Sequence, residues 1–256
     1  MALQNKRSAT NSKAHKDMAA RKQHTTDDSK GAETGLNLAV KKVREELESQ
    51  GHKTLLLKEL AYWDIKNNYS KISGCPQPTD EDKRFSIRPD GGVLFVDGKL
   101  AGIFEHKFGG TGDKPGNEKE KWTGGSAIDR TGKNLNALKM YCKGTGLFPY
   151  VVFCHGCGFH PKLTMYHRLE QMNHGFPSKM MIVTPTDSAA DQFEKILDGI
   201  TPESVRPTSL GLEVATVLIK THAARGPDAM EHGASDWTVD EYAQIILKVI
   251  KASGAV

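Results

Sequence analysis

No run of this 256-residue chain is apolar enough to span a bilayer. The first thirty residues, "MALQNKRSATNSKAHKDMAARKQHTTDDSK", lack the apolar core of a signal peptide. A cytoplasmic location with no membrane association is therefore the expectation. Cysteine is scarce, with four residues, which argues against a disulfide scaffold. The glycines at 109–116 are not followed by Gly-Lys-Ser/Thr, so they do not form a Walker A phosphate loop. Internal repeats are also absent.

What is present is ordinary globular material, 38% hydrophobic and 26% charged, sufficient for one large domain or two small ones. The charge is unevenly spread. Residues 1–30 carry seven Lys or Arg and three Asp, which equals the net +4 of the whole chain. This arm is polar, basic and nearly without large apolar side chains, so it is expected to be disordered when free. Such an arm is either a solubilising tail or a nucleic-acid contact.

Hydrophobic spacing predicts a helix over 34–50, with Leu36, Val40, Val43 and Leu47 on one face and Gly51 as its stop. A second helix is predicted over 53–66, then a polar loop over 67–83. A helix is expected from Ser126, burying Ile128, Leu135 and Leu138. "LFPYVVFC" (147–154) and "KMMIVT" (179–184) read as strands, and "DSAADQFEKIL" (187–197) as a helix capped by Asp187. "GLEVATVLIK" (211–220) is readable as strand or helix. "WTVDEYAQIILKVIKAS" is a helix with a Thr238/Glu241 capping box. Mixed strands and helices around one core indicate an α/β fold with a central mixed β-sheet flanked by helices.

Residues 86–107, "SIRPDGGVLFVDGKLAGIFEHK", carry the chemistry. Asp97-Gly98 between two apolar runs is a strong two-residue hairpin signal. That turn pairs Val96 with Lys99, Phe95 with Leu100, Leu94 with Ala101, Val93 with Gly102 and Gly92 with Ile103. Continued, it sets Asp90 opposite Glu105, with Cβ atoms about 4.5–5.5 Å apart. Lys107 then shares that face, while Phe104 and Phe108 take the other. Opposed carboxylates destabilise a strand pair, unless a cation lies between them. Two carboxylates and the His106 backbone carbonyl are suitable oxygen ligands for Mg²⁺. The competing reading is an exposed hairpin with a polar end.

"PD" at 89–90, fourteen residues, then "EHK" at 105–107 match the PD-(D/E)xK nuclease signature. More specifically, the chain resembles the EcoRI-type restriction endonucleases. The resemblance rests on "IRPDGG" (87–92), "FEHK" (104–107), "GSAIDR" (125–130) with "KN" (133–134), and "FPYVVF" (148–153), and more weakly on "HRLEQM" (167–172) before "GFPS" (175–178). It implies a bacterial type II enzyme with the restriction-endonuclease-like fold, acting as a homodimer on double-stranded DNA with Mg²⁺. It implies one nuclease domain over 31–256, with a DNA-recognition loop and helix at 109–143. By resemblance, Asp90 and Glu105 bind the metal and Lys107 is the catalytic lysine. Ser126, Ala127, Asp129 and Arg130 are candidate base readers, Lys133 is a candidate DNA contact, and Arg168 matches a family arginine associated with base reading. The family has Asn at Ser126, Glu at Asp129 and a second arginine at Gln171. An AATT-centred palindrome is the target implied. The alternatives are a repair or junction-resolving nuclease with this core, and a DNA-binding module without catalysis.

Other residues have two readings. Lys114, Lys119 and Lys121 belong to a surface loop or to an arm that orders around DNA, with Trp122 as its anchor or a subunit contact. Cys154 and Cys157 in "CHGC", near His155, His160 and His167, are core thiols or half of a zinc site. No second CxxC at zinc-ribbon spacing accompanies them, which favours thiols. Glu45 and Glu46 either belong to a solvated helix face or supply a further carboxylate to the metal.

Overall fold

The computed structural model describes residues 33–74, 77–108, 124–155, 163–172, 180–182, 188–219 and 237–256. The predicted arm (1–30), the loop lysines 114, 119 and 121, Trp122, Asp187 and Cys157 lie outside them.

The first helix, α1, runs over 33–49. Leu36, Val40, Val43 and Leu47 are all buried, as their spacing requires. It ends in a Schellman arrangement: the His52 N–H donates to the Leu47 carbonyl, the Gly51 N–H to that of Glu48, and Gly51 takes φ +91°.

The helix predicted over 53–66 forms only from Tyr62 onward. Thr54–Leu57 is strand β1, a two-residue strand β2 follows at Leu60–Ala61, and helix α2 occupies Tyr62–Ser73. Three consecutive leucines fit either period, and pairing with a neighbouring strand decides for β. Helix α2 also runs through the first part of the stretch read as loop. It stops at Gly74, φ +67°, and a 3₁₀ turn follows at Asp80–Arg84.

Strand β3 is Ser86–Ile87, and the central hairpin is β4 (Gly92–Val96) and β5 (Lys99–Phe108). Helix α3 spans Gly124–Cys142, strand β6 Tyr150–His155, helix α4 Leu163–Met172 and strand β7 Met180–Ile182. Helix α5 is Ala189–Gly199, with Ser188 as its cap, accepting from the Asp191 N–H at 3.1 Å. The ambiguous segment forms strand β8, Thr216–Ile219, all four residues buried. Helix α6 is Val239–Ala252 and has the expected capping box. The Glu241 N–H donates to the Thr238 hydroxyl at 3.2 Å, and the Thr238 N–H to the Glu241 carboxylate at 2.7 Å.

The main sheet is mixed, in the order β1-β4-β5-β6-β8-β7. The β1–β4 and β4–β5 pairs are antiparallel, and β5–β6, β6–β8 and β7–β8 are parallel. Apolar clusters cover both faces. On one, α1, α5 and α6 pack on Leu94, Phe104, Val151, Phe153 and Leu218. On the other, α2 and α3 pack on Val93, Ile103, Tyr150, Val152 and Val217. Each such buried side chain contributes about 1.5–3 kcal/mol. Two covered faces explain why the parallel strands read as continuous apolar runs. Among the described residues, no helix is long and apolar enough to cross a membrane.

Candidate active site

The site grows from the β4–β5 hairpin. Asp97 (φ +49°) and Gly98 (φ +78°) both lie in the left-handed region, as a type I′ turn demands. The Asp97 carboxylate is tied down by the Lys53 N–H and by His52 Nδ1, each at 2.8 Å. These partners hold Asp97 below the ordinary aspartate range, the His52 bond being the largest cause and the Lys53 N–H the next.

The register expected from the turn holds for two pairs only, Val96 with Lys99 and Phe95 with Leu100. A bulge follows. Ala101 is the extra residue, so Leu94 pairs with Gly102, Val93 with Ile103 and Gly92 with Phe104. Gly102 is required there, since a Cβ would stand 2.2 Å from the Phe104 ring. Continued past the last pair, the shifted register would set His106, not Glu105, opposite Asp90.

This slip does not separate the carboxylates, because Asp90 is not in the strand. The Gly92 N–H donates to the Pro89 carbonyl at 2.9 Å, and Gly92 takes φ +86°. The chain thus turns at 89–92, and strand alternation no longer governs the Asp90 side chain. Its carboxylate accepts the His106 N–H at 3.0 Å and lies 3.5 Å from Lys107 Nζ. Lys107 also bonds to Glu105 Oε1. One ammonium therefore touches both carboxylates. Glu105 and Lys107 share the α3 side of the sheet and Phe104 takes the other, as alternation predicts.

Glu105 is 1% exposed, Lys107 19% and Asp90 29%. A buried carboxylate needs donors, and Glu105 has three sources. The Asn134 amide on α3 reaches both oxygens at 3.0 Å, the Tyr150 hydroxyl on β6 donates to Oε2 at 3.2 Å, and Lys107 takes Oε1. Burial still pushes the Glu105 carboxyl up, against the pull of Lys107, with Asp90 adding to the rise. Burial alone would lower Lys107, but Glu105 and Asp90 outweigh it and keep the ammonium charged. Burial drives the Tyr150 hydroxyl well above its ordinary value, so it serves as a donor.

The donor set suits a hard cation. Asp90 and Glu105 provide carboxylate oxygens around a point already holding positive charge. The His106 N–H points to the Asp90 edge, and in a strand a residue's carbonyl points the same way as its N–H. Among the described residues, no three His, Cys, Asp or Glu side chains gather as a metal cage. Mg²⁺ does not need one, since it retains several waters.

The expected base readers Ser126, Ala127, Asp129 and Arg130 lie in the first two turns of α3, and Lys133 follows. Their side chains fall outside the described residues. Arg168 is on α4, which packs beside α3. Glu45 and Glu46 are exposed on α1, with Glu45 paired to Lys41 at 3.7 Å. Cys154 and Cys142 are buried free thiols, and burial pushes both far up.

Sequence reasoning missed Asn134 and Tyr150. The signal for Asn134 was its place four residues before the buried Leu138, on the core side of α3. For Tyr150 it was a polar tip inside an apolar strand, which needs a buried partner. No family model matches the chain, and neither does any curated protein.

Proposed function

We propose that the chain is a type II restriction endonuclease of the PD-(D/E)xK kind, hydrolysing double-stranded DNA with Mg²⁺ at a short palindrome. The observation that carries this reading is the Lys107 ammonium shared by Asp90 and Glu105, with Glu105 fixed by Asn134 and Tyr150. Asp90, Glu105 and the His106 carbonyl would hold the ion. Bound there, Mg²⁺ supplies Lewis-acid polarisation of the phosphate and acidifies water.

The protein groups do the rest. Lys107 orients the attacking water and neutralises negative charge developing on the phosphate. Water attacks phosphorus in line, the bond to the 3′ oxygen breaks, and the products are a 5′-phosphate and a 3′-hydroxyl. Asn134 and Tyr150 are positioning residues that hold Glu105. Ser126, Ala127, Asp129 and Arg130, at the start of α3, would read the bases, and a guanidinium fork such as that of arginine suits a bidentate major-groove contact. A homodimer matches the two-fold symmetry of a palindrome.

Digestion of mixed-sequence DNA tests the reading. Discrete fragments that require Mg²⁺ support it. Nicking selective for junctions or lesions indicates a repair or junction-resolving enzyme instead, and binding without cutting indicates a non-catalytic module. Asp90→Ala should abolish cutting while the protein stays folded and binds DNA. Full activity in that variant removes Asp90 from the metal site.

A further inference from the structure

An open cleft of about 600 Å³ lies beside the site and shares Asp90 with it. Four cations line it, Lys41 and Arg44 from α1, Lys58 from the β1–β2 connection, and Arg88, against two carboxylates, Glu33 and Asp90. Three of the four cations are already engaged. Lys41 pairs with Glu45 at 3.7 Å, Arg44 with Glu48 at 3.4 Å and Arg88 with Glu59 at 2.6 Å. Lys58 differs. Its ammonium bonds to the neutral Asn37 amide oxygen, and among the described residues no carboxylate lies within ion-pair distance. Asn37 is itself fixed by donating to the Glu33 carbonyl at 2.9 Å.

Lys58 is exposed on the open cleft, where an incoming anion can reach it. Protein crowding, with Arg44 adding like-charge repulsion, holds its ammonium below the ordinary lysine value despite the distant pull of Glu33. An anion entering the cleft would relieve that penalty. A phosphodiester is the anion expected in a cleft that has more cations than carboxylates and shares Asp90 with a phosphodiester-cleaving site.

Building on the nuclease reading, we infer that this cleft binds the DNA sugar–phosphate backbone, with Lys58, steered by Asn37, as its phosphate contact next to the scissile position. The contact carries no base information and is made equally on every sequence. Each phosphate neutralised by a lysine releases condensed counterions, with a slope near 0.9 in log affinity against log salt. Between about 50 and 200 mM salt, one contact is therefore worth a change of about 3.5-fold.

The test is fluorescence anisotropy of the full chain with a labelled mixed-sequence duplex, Ca²⁺ replacing Mg²⁺ to prevent cutting. Lys58→Gln should bind more weakly, and its disadvantage against the unmodified chain should shrink about 3.5-fold between about 50 and 200 mM salt. Lys58→Arg should keep the original slope. Lys251→Gln, an exposed lysine on α6 that does not line the cleft, should also keep it. An unchanged slope for Lys58→Gln, or an equal drop for Lys251→Gln, overturns the cleft assignment and leaves the nuclease reading standing. Failure of the unmodified chain to bind any duplex overturns the nuclease reading itself, and the cleft assignment with it.

Discussion

Replacing Tyr150 by Phe removes one hydroxyl and leaves the buried ring, its edge-on contact with Phe148 and the β6 backbone unchanged. The oxygen lost is the one that donates to Glu105 Oε2 at 3.2 Å. A hydrogen bond to an ionised group contributes about 1.5–3 kcal/mol, against about 0.5–1.5 kcal/mol for a neutral pair. The size of the effect therefore reports the charge on Glu105. Burial raises that carboxyl in the folded protein, so the folded state binds the proton more tightly than the unfolded chain. On this account stability falls as pH rises from the ordinary glutamate value through the raised one. Tyr150→Phe removes a donor to the charged form and pushes the carboxyl higher still. The loss relative to the unmodified chain should thus be small on the acid side of that interval and widen to about 1.5–3 kcal/mol beyond it. For a domain of this size that is a drop in Tm of about 3–12 °C. Urea titrations across the pH range measure it, with an unchanged m value expected. A loss independent of pH would show that the hydroxyl does not sense the ionisation of Glu105. No loss at any pH would show that it is not bound to the carboxylate at all.

Gly92→Ala puts a Cβ 2.8 Å from the Leu57 carbonyl oxygen at φ +86°, which no l-residue adopts readily. It should cost about 1–3 kcal/mol by thermal melt and, by displacing the turn that holds Asp90, lower kcat more than KM rises. Native stability would contradict the turn's role. Arg130→Ala should weaken binding to the target more than to random DNA, by about 1–3 kcal/mol of discrimination in competition titrations. Equal losses on both would argue against base reading.

Much of the architecture follows from local pattern. The spacing of Leu36, Val40, Val43 and Leu47 gives α1, the Asp97-Gly98 turn gives the hairpin, and Thr238 with Glu241 starts α6. The leucines at 55–57 were misread because helix and strand compete there on nearly equal terms, and pairing with β4 decides. The bulge at Ala101 was invisible for a different reason. It answers to how the Phe104 ring covers Gly102, a contact that only packing creates. Asp90 still reaches Lys107, by the Pro89–Gly92 turn rather than by facing Glu105. Asn134 and Tyr150 come from elements remote in sequence, and only the parallel pairing of β5 with β6 and the packing of α3 bring them to Glu105. The pairing of Lys58 with Asn37 is likewise a meeting of α1 with a strand connection.

The most direct measurement is sequencing of the ends left when the unmodified chain and its Asp90→Ala variant act on the same duplex DNA with Mg²⁺. The account predicts one short palindrome at every end, each carrying a 5′-phosphate, and intact DNA with the variant. Ends drawn from unrelated sequences would contradict the restriction reading, and cutting that persists in Asp90→Ala would contradict the assignment of the site.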